Sequence, residues 1–136
     1  MREDLGALFA RITRRLIELE RPLLDAHGLS MWGYIALNRL ASGPAETQLA
    51  LAAAIGHDKT RLIAVLDTLE RDGLITRDPD PRDRRARLVR ITPAGVQRHA
   101  AAVADIRAME DELLGALSPD ERSTLLAALP RLAPPR

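Results

Sequence analysis

Between Arg77 and Arg90 the chain carries six arginines and three aspartates, a local excess of +3 in a protein whose formal net charge is only +1. A guanidinium is always charged and offers a rigid fork of donors, so it suits phosphate oxygens and narrow grooves where negative potential concentrates. Arg84 and Arg85 fall where the tip of a loop is expected. Asp83, two residues before Arg85, is placed to hold that side chain in one rotamer through a charge-assisted pair. An isolated run of this kind is ordinarily a solvated surface segment, so its meaning depends on what precedes it.

What precedes it is a helical pattern over residues 59–72. Leu62, Val65, Leu66 and Leu69 fall at i, i+3, i+4 and i+7 and are expected to face a core. The opposite side carries Thr60, Ile63, Ala64 and Asp67, flanked by Arg61 and Thr68, with Lys59 at the start. Small and polar groups near a helix N-terminus let the backbone approach base edges in a major groove. Arg61 can donate two bonds to guanine, Thr60 can bond a base or a phosphate, and Ile63 and Ala64 can touch thymine methyl groups. The residues expected to contact DNA are therefore Lys59, Thr60, Arg61, Ile63, Ala64, Thr68, Arg77, Asp83, Arg84 and Arg85. An ordinary amphipathic helix is the alternative reading of this segment taken alone.

The surrounding elements are those that could position such groups. Leu5, Leu8, Phe9, Ile12, Leu16, Leu19 and Leu23 form one apolar stripe over residues 4–26, which Pro22 is expected to kink or break near its end. Gly28 stops that helix, and Ser30 caps the next one, to about Leu40. Thr47 caps a short helix, Gln48 to Ile55, which Gly56 ends; His57 lies in a tight turn, and Asp58 caps the helix that follows. Two short helices joined in this way have helix-turn-helix spacing. Leu74–Arg77 and Arg87–Ile91 read as strands flanking the charged loop. Thr92-Pro93 opens a helix to about Leu114, and Ser118 with Glu121 forms a capping box for a last one. The order is ααααββαα, with a short extra strand near 44–47 as an addition. The fold class is mainly α, with a winged helix-turn-helix core.

Other chemistry finds no footing in the sequence. A chain of 136 residues without cysteine has no disulfide, thiolate site or cysteine redox switch. His27, His57 and His99 are scattered, and Glu110, Asp111 and Glu112 are consecutive and point around a helix, so no metal site is expected. Ser30, Ser42, Ser118 and Ser123 lack a nucleophile-elbow setting. No Gly-rich phosphate loop is present. No enzyme activity and no cofactor are expected. The N-terminus has no secretory apolar region and no run is long enough to span a bilayer, so a cytoplasmic protein without a membrane partner is expected.

The stretch from Thr47 to Gly95, TQLALAAAIGHDKTRLIAVLDTLERDGLITRDPDPRDRRARLVRITPAG, resembles the winged-helix core of the MarR family of bacterial transcriptional regulators. The matching segments, QLALAAAIG, DKT, LDTLERDGLI, DPRDRRARLVRIT and PAG, stand in the family's order, and GLS at 28–30 fits as well. The resemblance implies one domain: a DNA-binding core over about 30–92, with dimerisation helices over about 4–26 and 93–133. It implies a homodimer on double-stranded DNA, with Thr60 and Arg61 opening the recognition helix and Asp83 and Arg85 at the minor groove. Many relatives have a polar residue at the position of Ile63 and arginine at that of Ala64, which puts base readout from mid-helix in question. Members often bind small anionic or phenolic ligands between the dimer helices and the core. Phe9, His27, Trp32 and Tyr34 offer the aromatic character for this, and Arg15, or Arg11, a partner for a carboxylate. The functional reading is a DNA-binding regulator, a repressor of a palindromic operator released by such a ligand. The alternative is a winged-helix protein-interaction module without specific DNA binding. The apolar stripes of the terminal helices fit an intertwined dimer, with a six-helix monomer as the alternative.

Overall fold

Five of the six helices begin where a side chain can satisfy an orphan amide. In a computed structural model describing residues 1–135, the elements are α1 (Leu5–Ala26), α2 (Met31–Ala41), β1 (Glu46–Thr47), α3 (Gln48–Ile55), α4 (Lys59–Arg71), β2 (Ile75–Asp80), β3 (Asp83–Ile91), α5 (Pro93–Leu114) and α6 (Pro119–Leu132). Ser30, Thr47, Asp58, Thr92 and Ser118 accept from the backbone amides of Gly33, Ala50, Arg61, Gly95 and Glu121. Ser118 and Glu121 complete the reciprocal capping box. Gly56, at φ 70°, takes the left-handed conformation that closes α3 before the turn into α4. This arrangement is the mainly helical, winged helix-turn-helix fold that the pattern of caps and stripes predicts.

The core is aliphatic because the chain has almost no aromatic residues to place there. Leu24, Leu37, Leu51, Leu62, Leu66, Leu74, Ile75 and Val89 are each at most 1% exposed. Leu62, Leu66 and Leu69 put the expected face of α4 inward, with Val65 at the margin.

Two local expectations are corrected. Pro22 does not end α1, which continues to Ala26. Proline removes one amide, but Leu24 just beyond it is buried, and its carbonyl accepts from the amides of His27 and Leu29, anchoring the last turn. The strands are also longer than their apolar segments. β2 and β3 pair antiparallel from Ile75–Ile91 out to Pro79–Arg87, and Asp80 pairs Asp83 after a register shift. Pro79 is tolerated because β2 is an edge strand in the order β1-β3-β2, and the irregularity follows it directly. β1, the short strand expected near 44–47, pairs Glu46 with Val89 and Thr47 with Leu88.

Candidate nucleic-acid interface

The first turns of α4 present the residues expected to meet DNA. Lys59, Thr60, Arg61, Ala64 and Thr68 are exposed and Ile63 is half-buried. Asp58 holds this end of the helix by accepting from the Arg61 amide at 3.0 Å. The Thr68 hydroxyl donates to the Ala64 carbonyl at 3.3 Å, so part of its capacity is satisfied within the helix. Trp32 of α2 stacks on His57 in the turn, with ring centroids 3.8 Å apart and an 18° interplanar angle. That stack supports the turn between α3 and α4 from the side of α2.

The hairpin corrects the expected position of its tip. The turn lies at Pro81-Arg82, and Arg84 and Arg85 stand on the opening residues of β3. Proline at the second position of a four-residue turn opened by aspartate is a strong turn signal, so the segment Asp80-Pro81-Arg82-Asp83 could have marked this tip and Arg82 with it. Asp83 acts differently from the expected rotamer clamp. Its Oδ1 accepts from the Arg85 backbone amide at 3.1 Å, as Asp80 does from the Arg82 amide at 2.9 Å. The two aspartates shape the backbone and leave the guanidinium groups open. Among the described residues Lys59, Arg61, Arg82, Arg84 and Arg85 make no ion pair.

Arg77 is a third correction, because it is not an open cation. Its Nη2 donates to Asp67 at 2.6 Å and to Glu70 at 2.9 Å, and its Nη1 donates to Gln48 at 3.1 Å. Its side chain is 11% exposed. The hydrogen bond from Arg77 holds the Glu70 carboxyl below its ordinary range.

The residues expected to line an effector site do not meet in one cavity within the chain. Phe9 and Arg15 are exposed on α1. Trp32 is stacked at the helix-turn-helix turn, and Tyr34 lies 5.8 Å from His99 of α5. His27 donates to or accepts from Asp105 at 2.6 Å and borders an open hollow of about 610 Å³ with Gln97 and Arg98. Burial pushes the Tyr34 phenol up and the His99 imidazole down. No helix among the described residues is long and apolar enough to cross a membrane.

The sequence profile of the MarR family matches residues 34–86, which run from α2 into the wing. The chain is 34% identical over 115 residues, 85% of its length and 69% of the relative's, to the transcriptional regulatory protein assigned to the hcr operon of Thauera aromatica. This chain belongs to the MarR family. It is a transcriptional regulator of the MarR type, a winged-helix DNA-binding class. A solved MarR-type neighbour, the transcriptional repressor CouR bound to a 23-mer DNA duplex, is 29% identical with a TM-score of 0.85 over 96% of this chain and 93% of CouR. The PcaV regulator of Streptomyces coelicolor, solved with its natural ligand, is 26% identical with a TM-score of 0.73 over 97% of this chain and 96% of PcaV.

Proposed function

We propose that this MarR-type regulator is a repressor that binds a palindromic operator as a homodimer. Each protomer lays the start of α4 in a major groove, with Lys59, Thr60, Arg61, Ile63, Ala64 and Thr68 towards the bases and phosphates. The wing lies along the neighbouring minor groove, led by Arg84 and Arg85, with Asp83 shaping the backbone beneath them. The observation that carries this reading is the set of unpaired cations on α4 and the wing, in a chain of nearly balanced charge. A promoter-bound role places the protein in the cytoplasm.

Dimerisation through α1, α5 and α6 is supported by apolar groups that one chain leaves open. Leu5, Phe9 and Ile12 on α1 and Leu126 and Leu132 on α6 are between 43% and 73% exposed, and α6 buries no residue of its own. Covering such stripes in an obligate dimer buries upwards of about 2,000 Å². Two copies then present two α4 helices to half-sites about one turn apart. In the same reading a small anionic or phenolic ligand releases the operator from a site that includes Phe9, Arg15, His27, Trp32 and Tyr34 and is completed by the second protomer. The ligand-bound state of PcaV supports this part.

The test is an anisotropy titration against the promoter region of the protein's own gene, with the parent and R85A side by side. Losing a charge-assisted contact of about 1.5–3 kcal/mol lowers affinity by at least about tenfold, with dimerisation intact. Equal affinity for parent and variant removes the wing from the mechanism. A parent that retains no promoter fragment favours a protein-interaction module.

A further inference from the structure

We propose that Arg77 is a positioning residue: it sets the angle of the wing against α4, and so governs DNA affinity through Arg84 and Arg85 without touching DNA. The inference rests on the wing contact proposed above. Its guanidinium gathers three elements, reaching Gln48 at the start of α3 and both Asp67 and Glu70 on α4. It does so from the middle of the sheet, where Arg77 pairs with Val89 and Val89 pairs with Glu46. Val89 is fully buried, and Glu46 accepts from Arg39 of α2 at 2.6 Å, so this one row of the sheet is tied to helices at both edges.

Beyond that row β2 has no comparable anchor. Asp78 and Pro79 are exposed, as are Arg84, Arg85 and Arg87 on the facing strand. Arg87 reaches back to donate to the Arg77 carbonyl at 3.3 Å, which joins the second strand to the same point. From Arg77 to the tip the strand runs roughly 13 Å at about 3.3 Å per residue. A swing of about 5° at its base moves the tip by ~1 Å, and misplacement on that scale is enough to degrade a positioned contact. A direct phosphate contact by Arg77 is disfavoured by the same geometry. The guanidinium is 11% exposed and shares its charge with two carboxylates, so the cluster offers no net attraction to an anion.

The test is a thermodynamic cycle on operator affinity using the full-length parent, R77Q, R85A and the double variant, at fixed salt and protein concentration. A shared positional link makes the two effects non-additive. R77Q is expected to weaken binding about tenfold beside an intact Arg85 and less than about twofold in the R85A background, within the range seen for coupled residues. The dependence of affinity on salt stays as in the parent, because no phosphate contact is lost. The same loss in both backgrounds overturns the inference, whether it arises from a direct phosphate contact or from general destabilisation. If R77Q does not fold, E70Q keeps the arginine and loosens its grip; it is expected to weaken binding with the same non-additivity. Tighter binding by E70Q, with a steeper salt dependence, means that the freed guanidinium reaches phosphate, and overturns the inference. If R85A binds as the parent does, the wing contact itself fails and this inference fails with it. An additive R77Q effect beside a damaging R85A overturns the inference alone.

Discussion

Replacing Gly95 by alanine tests how the helix that leaves the wing is seated on the core. An alanine Cβ at this position stands 2.1 Å from the Leu74 carbonyl oxygen, 2.8 Å from Ile91 Cγ1 and 3.1 Å from the Leu74 carbonyl carbon. The oxygen belongs to backbone and cannot turn aside as a flexible side chain would. The same carbonyl accepts from the Thr92 amide at 3.0 Å, and the Thr92 hydroxyl donates to the Gly73 carbonyl at 2.6 Å. The first turn of α5 must therefore withdraw by ~1 Å to reach ordinary contact, pulling on both bonds. Overpacking costs about 1–3 kcal/mol. Loss of a backbone hydrogen bond adds about 1 kcal/mol. Near 3 kcal/mol in total, the thermal midpoint of a domain this size falls by roughly 10–15 °C. Urea unfolding, at one protomer concentration because the proposed dimer couples stability to concentration, is expected to show a lower midpoint with an unchanged slope. Gly6→Ala is the matched control: its Cβ meets nothing within 4 Å, and in the first turns of α1 it is expected to stabilise by up to about 1 kcal/mol. If Gly95→Ala unfolds at the parent's midpoint, α5 is not seated on Leu74, and the path from wing to terminal helices differs from the one described.

Arg61→Ala is expected to relax preference at one base pair per half-site, by about 1–3 kcal/mol; unchanged discrimination between operator variants reduces Arg61 to a phosphate contact. Burial among Tyr34 and Asn38 lowers the His99 pKa, so its folded state favours the neutral ring. The stability tied to neutral His99 is present above the unfolded value near 6.5 and is lost as pH falls through the lower folded value. Thermal midpoints of the parent should therefore drop on acidification below about pH 6.5 more steeply than those of His99→Gln; equal slopes refute the assignment to His99.

Much of the fold was legible because its signals are local. A cap, a left-handed glycine and an i, i+3, i+4 stripe each act within one or two turns of chain, so Ser30, Thr47, Asp58, Thr92 and Ser118 marked helix starts without knowledge of what packs where. The inward face of α4 was legible for the same reason. The wing was legible in outline from its charge, which a tight hairpin cannot bury.

The open arginines and their tight link to the helix-turn-helix depend on tertiary structure. By sequence alone Arg77 and Arg85 are equivalent members of one basic run; only the sheet register and the approach of α3 and α4 made one a buried clamp and left the other free. Strand length was decided likewise, since backbone pairing carried β2 and β3 past their apolar segments through Pro79 to a tip at Pro81-Arg82. The continuation of α1 past Pro22 rested on burial of Leu24, a contact that periodicity does not contain. Sequence thus determined which elements form and which faces are apolar, because those depend on near neighbours. The tertiary structure decided which charges remain available, because pairing depends on residues as far apart as Gln48 and Arg77.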